Sequence, residues 1–185
     1  MDSESENAEQ SASSDDDDDA RYEMKSKLEN GEFSSNWLIY DNESRSEKVL
    51  KRFKLSTSKD FSHFLNEKIE TMRLAFDHPN LLTIEDHFED DDDTDGGEEK
   101  GGKFRDQIFC IVVEHCPGGT LEQAIRRMHG EESYLPESKL RRWCHQLVEA
   151  IEHLHEENYC HENITSKNVY LNENKTKLKL GLMKM

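Results

Sequence analysis

Polar side chains able to do chemistry gather in one octet, His161-Glu162-Asn163-Ile164-Thr165-Ser166-Lys167-Asn168. Cys160 precedes it directly, and a cysteine beside a histidine is a nucleophile–base combination. Sequence neighbours rarely reach the geometry that such a pair needs. Asn163 limits the octet further. Its amide oxygen accepts a hydrogen bond but cannot take up a proton near neutral pH, so it is no general base. Other constellations carry less. His153 and His155 stand two apart on a helix and do not face each other. No Cys/His set has zinc spacing. The run Asp90 to Asp93 offers oxygens, but a calcium loop alternates its ligands around a fixed glycine, and a straight Asp run does not.

The elements that position the octet can be read from periodicity. Trp37 to Tyr40 and Lys48 to Phe53 are β-prone and flank the turn-like Asp41-Asn42-Glu43-Ser44. Phe61, Phe64, Leu65, Lys68, Met72 and Phe76 recur at three- and four-residue steps, which predicts a helix over about 58–76. Pro79 ends it, because the residue before a proline avoids helical geometry. Leu81 to Ile84 and Phe109 to Val113 predict two further strands, joined by an exposed acidic loop over 85–103 that is rich in Asp and Gly. Thr120 is placed to cap a helix from Leu121 to about Met128. Pro136 opens the next, which reaches about Glu157. That helix carries an apolar stripe of Leu140, Trp143, Leu147, Ile151 and Leu154. The octet follows, and then the short strand Val169-Tyr170-Leu171.

Charge is concentrated rather than spread. Of 185 residues, 33% are hydrophobic and 35% charged, and the formal net charge is −17. Residues 1–20 hold nine Asp and Glu with no Lys or Arg, and residues 85–99 hold ten. Those two segments take nineteen of the 41 acids, which leaves 22 acids against 24 Lys and Arg elsewhere. The tail 1–20 has the composition of a disordered segment. Ser3, Ser13 and Ser14 in it each precede an acid by three residues, as phosphoacceptors for an acidophilic kinase would. An acidic surface repels nucleic acid and anionic lipid, so neither is an expected partner. No apolar run has the length of a membrane span. Cys110, Cys116, Cys144 and Cys160 are widely spaced and read as reduced, partly buried residues of a cytoplasmic or nuclear protein rather than a disulfide framework.

Several segments together resemble the eukaryotic protein kinases in order and register. The octet resembles the family's catalytic loop His-Arg-Asp-x-Lys-x-x-Asn. Val49-Leu50-Lys51 resembles the strand that carries the nucleotide lysine. His78-Pro79-Asn80-Leu81 resembles the turn after the regulatory helix. The stretch from Ile111 through Glu114, Cys116 and Gly118-Gly119 to Leu121 resembles the last small-lobe strand and the hinge, in the flavour of the NIMA-related kinases. The resemblance implies an α+β fold. Its small lobe spans residues 21–113, and a partial large lobe spans 114–185 and ends at the degenerate Asp-Phe-Gly position. It also implies a nucleotide cleft formed by Gly31, Lys51, Glu114, Cys116 and Asn168.

The same resemblance marks losses. Phosphoryl transfer relies on metal ions, on a lysine at the phosphates, and on a carboxylate that orients and deprotonates the acceptor. Asn163 stands where the catalytic Asp is expected, Thr165 where the loop lysine is expected, and Leu182 where the metal-binding Asp is expected. Of the glycine-rich loop only Gly31 remains, with Glu29 and Glu32 beside it. The regulatory helix offers Glu67 and Glu70 to Lys51, both off the expected register. The expectation is therefore an inactive, kinase-like fragment with no metal site and no required cofactor, ATP binding being weak at most. It works by protein contact, as a scaffold or regulator of signalling. Because the family's later helices lie beyond Met185, the stripe from Leu140 to Leu154 is expected to be open. With the helix Phe61–Phe76, it would be covered by a protein partner, an active kinase being one candidate. Two alternatives remain: a weak, ATP-binding serine/threonine kinase using Lys51, and an acidic interaction protein whose tail binds basic partners.

Overall fold

The computed structural model describes residues 21–31, 34–55, 59–91, 107–131 and 133–183. The acidic tail 1–20 with its serines, and residues 92–106 of the acidic loop, lie outside the described residues.

A five-stranded antiparallel sheet forms first, in the order β1-β2-β3-β5-β4. Its strands are β1 (Tyr22–Lys27), β2 (Ser35–Asp41), β3 (Ser46–Leu55), β4 (Ile84–Asp91) and β5 (Gln107–Glu114). β3 and β5 lie inside the sheet and β5 is apolar, whereas β4 is an edge, which explains how a strand reading Ile-Glu-Asp-His-Phe-Glu-Asp-Asp is tolerated. The expected loop over 85–103 therefore begins too early. Residues 85–91 are paired strand, because their carboxylates meet cations from neighbouring elements. Lys48 reaches Glu85 at 2.5 Å, Arg52 reaches Asp90 at 3.0 Å and Arg21 reaches Asp86 at 2.9 Å. The sheet curls until its two edges meet. Tyr22 of β1 donates its hydroxyl to Asp86 of β4 at 2.7 Å and stacks on Phe88 with ring centroids 6.0 Å apart. The curl encloses a small core of Ile39, Leu50, Ile108, Cys110 and Val112.

The other face of the sheet takes helix α1 (Lys59–Ala75). Its buried positions are Leu65, Ile69, Met72 and Ala75, with Phe76 just beyond. Phe64, expected on the core face, is instead 56% exposed. The apolar set is shared between two faces of the helix, and the sheet selects the one that carries Ile69 and Met72. Each such side chain fully buried contributes about 1.5–3 kcal/mol relative to exposure.

The large lobe consists of β6 (Gly119–Thr120), α2 (Leu121–Gly130), α3 (Glu137–Glu156), β7 (Val169–Leu171) and β8 (Leu178–Leu180). The three short strands form one sheet in the order β6-β7-β8. Thr120 closes a capping box with Gln123 at the start of α2, satisfying end donors that the helix itself cannot. The lobes are sewn together behind α1. Leu82 donates its amide to the Leu180 carbonyl at 2.8 Å, Leu180 donates to Asn80 at 2.8 Å, and the Asn80 amide side chain donates to Leu178 at 2.7 Å. The expected strand Leu81–Ile84 is thus only an isolated bridge to Leu180, and β4 begins where it was thought to end.

One continuous core crosses both lobes, from Ile69 and Phe109 to Trp143, Leu154, Leu171 and Leu180. This corrects the expectation that the whole α3 stripe is open. Trp143 and Leu154 are buried against the chain's own strands, Leu147 and Ile151 pack partly against them, and only Leu140 is half exposed. Among the described residues no helix is long and apolar enough to cross a membrane.

Candidate functional site

The octet lies between the end of α3 and β7, and its backbone is fixed by its own side chains. Buried His161 has Nε2 2.9 Å from the Gly181 carbonyl, which can only accept, so Nε2 carries the proton. Nδ1 is then free to accept the Asn163 amide at 3.2 Å. Burial holds the His161 pKa below its ordinary value, and the Gly181 carbonyl opposes this in part. Glu162, between them, adopts φ of 57°, a left-handed conformation that costs energy in a non-glycine residue. Asn168 is the second fastener. Its Nδ2 donates to the carbonyls of Asn163 at 3.0 Å and Leu182 at 2.7 Å, joining the octet to the segment after β8. Gly181 completes the join, since a Cβ there would lie 2.1 Å from Asn168 Oδ1. The exposed Thr165 contributes only a carbonyl, which accepts the Asn168 amide at 2.9 Å.

Across the cleft, β3 presents Lys51. It is 7% exposed, and Nζ donates to the Tyr170 hydroxyl at 3.1 Å while lying 5.3 Å from the Tyr170 ring centroid. Neither expected glutamate reaches it. Glu67 lies 3.7 Å from His63, and Glu70 lies near Arg73 and His87. Among the described residues no carboxylate stands within 4.0 Å of Lys51.

The hinge positions are held as structure. Glu114 ends β5, and its carboxylate accepts Lys179 Nζ at 2.6 Å and the Thr83 amide at 2.7 Å. Cys116 accepts the Gly119 amide at 3.0 Å and packs against the core. Burial, with Glu114 nearby, pushes its thiol up to about 12. Gly119 has φ of +76°, which glycine adopts without strain. Gly31 sits in the exposed turn between β1 and β2 and donates its amide to the Ser34 carbonyl at 2.9 Å. A Cβ there would meet Ser34 Oγ at 2.6 Å.

Asn163, Asn168 and Leu182 are thus joined through the Asn168 amide, and Lys51 lies against Tyr170, two residues along from Asn168. Two residues were missed. Tyr170 faces Lys51 because strand alternation puts Val169 and Leu171 in the core and Tyr170 on the opposite side, a signal present in the sequence. Asn36, buried on β2, holds the Glu29 carbonyl at 3.0 Å, and nothing in its surroundings in the sequence announced that. Cys160, expected to be partly buried, is exposed, so it and the buried His161 form no pair.

The arrangement is that of a protein kinase small lobe, hinge and catalytic-loop region. Comparison with known proteins agrees. Residues 22–181 match the protein kinase domain family. The chain belongs to the protein kinase family. Its relatives include serine/threonine-protein kinase Nek11 of Homo sapiens, 26% identical over 161 residues that cover 85% of this chain and 23% of that protein. Serine/threonine-protein kinase Nek5 of Mus musculus is 31% identical over 151 residues, covering 82% of this chain and 21% of that protein. The chain therefore spans under a quarter of the length of these relatives.

Members of this family use a nucleotide with magnesium. Magnesium takes oxygen ligands, carboxylates above all, in octahedral geometry. Here Leu182 is a buried hydrocarbon, 6% exposed, and Asn163 and Asn168 offer neutral amide oxygens in place of carboxylates. Among the described residues no group of three or more His, Cys, Asp or Glu side chains is arranged to hold a metal ion. The donor set does not fit magnesium.

Proposed function

We propose that this chain is a non-catalytic member of the protein kinase family that acts through protein contact, as a scaffold or regulator of signalling. The observation that carries this reading is the pair Asn163 and Leu182, both without a carboxylate, on the two segments that Asn168 clamps together. With no carboxylate at either place, nothing there can accept the hydroxyl proton or hold a divalent ion against phosphate.

The contact surface is the outer side of α3. Leu140 and Val148 are 49% and 59% exposed, and Val148, Ile151, Glu152, His155 and Glu156 share one open face of the helix. Its mixed apolar and acidic side chains fit a partner segment that alternates apolar residues with Lys or Arg. Leu74 on α1 is exposed as well. A second reading, a weak nucleotide-binding kinase, is favoured by Lys51 lying in the cleft. A thermal-shift titration with ATP and magnesium separates the two. The non-catalytic reading expects no shift in the native protein or in Lys51→Ala. A saturable rise in the native protein that Lys51→Ala abolishes supports the kinase.

A further inference from the structure

We propose that the contact between Lys51 and Tyr170 is an interlobe lock. It holds the five-stranded sheet against the three-stranded one and fills the place of any other partner for Lys51. The inference goes beyond the non-catalytic reading and does not rest on it, since the contact exists in the protein alone.

Alternation fixes both side chains. On β3, Val49 and Phe53 pack toward the larger core, and Lys51 shares their face. On β7, Val169 and Leu171 are buried on one side, which turns Tyr170 to the other. The two meet 119 residues apart in sequence. A desolvated ammonium needs a partner, and the usual solution is a carboxylate. Here the phenol supplies an acceptor oxygen 3.1 Å away and a ring face 5.3 Å from Nζ. The ring is held from behind as well, because a Cβ on Gly181 would lie 2.8 Å from Tyr170 Cε2. Only glycine leaves room for the ring in that position. A second contact joins the lobes, where Gln123 on α2 donates to the Glu29 carboxylate at 3.0 Å and Arg126 lies 3.8 Å from it. This outer contact is exposed and weak by itself, so the inner one carries the lock.

The test is a double-mutant cycle on the full chain, read as thermal midpoint, with Lys51→Met, Tyr170→Phe and the pair together. Tyr170→Phe keeps the ring and its packing, so it folds. Each single change is expected to lower the midpoint, and the pair by less than the sum of the two. Additive losses overturn the lock. Labelling of native protein with acetic anhydride, read by mass spectrometry, gives an independent measure. Lys51 is expected to react several-fold faster in Tyr170→Phe than in the native chain. An unchanged rate at Lys51 overturns the lock even if the midpoints fall. Neither readout involves nucleotide, so phosphate transfer, if found, would overturn the non-catalytic reading and leave this result standing.

Discussion

At the residue scale, two groups of side chains have chemistry set by burial. His161 titrates below the ordinary histidine value because its site disfavours the imidazolium, and His78 does so through burial and the neighbouring His153. The unfolded chain binds these protons near about pH 6.5. Stability is therefore full above that value and is lost as the pH falls from it toward the lower folded-state pKa. Thermal midpoints taken at about pH 7 and about pH 5 should differ, the acid one lower, with a smaller difference in His161→Gln. A flat profile, or a variant with the native slope, would refute the assignment. The cysteines divide in the same way. Burial pushes the Cys110 thiol up to about 11 and the Cys116 thiol up to about 12, whereas Cys144 and Cys160 are exposed. Thiolate is the reactive form, so iodoacetamide at neutral pH should alkylate Cys144 and Cys160 well before the other two. Peptide mapping over a time course shows the order, and early labelling of Cys116 would contradict it.

At the element scale, the two sides of α3 separate packing from surface. Trp143 is 3% exposed inside the shared core, and Val148 is 59% exposed on the outer side. Trp143→Ala should cost about 3–5 kcal/mol in urea unfolding, through lost burial and an unfilled cavity. Val148→Ser should stay within about 0.5 kcal/mol. Equal costs would mean that the outer side is also packed. This helix shows how far the sequence could be read. Its limits and its apolar period were plain, but periodicity names a stripe without saying how much of it the chain itself will cover. Strands β7 and β8, each of three residues, buried Trp143 and Leu154, and elements so short leave little signal. The acidic part of β4 was hidden for a different reason. Its carboxylates look like loop until Lys48, Arg52 and Arg21, all distant in sequence, are seen to pair with them.

At the scale of the whole molecule, the order of elements, the curled sheet and the octet place the chain among the protein kinases. Asn163, Asn168 and Leu182 were placed by spacing around one short loop, and Lys51, far away in the chain, by the resemblance of its strand. What spacing could not supply was the partner of Lys51, which depends on which face of a three-residue strand looks into the cleft. The central claim is that this scaffold lacks the oxygens for magnesium-dependent phosphoryl transfer. The most direct measurement is incorporation of label from γ-labelled ATP, with magnesium, into the purified chain and a general protein substrate, beside Lys51→Met. The expected result is the same background in both. Incorporation above background that depends on magnesium and vanishes in Lys51→Met would contradict the claim.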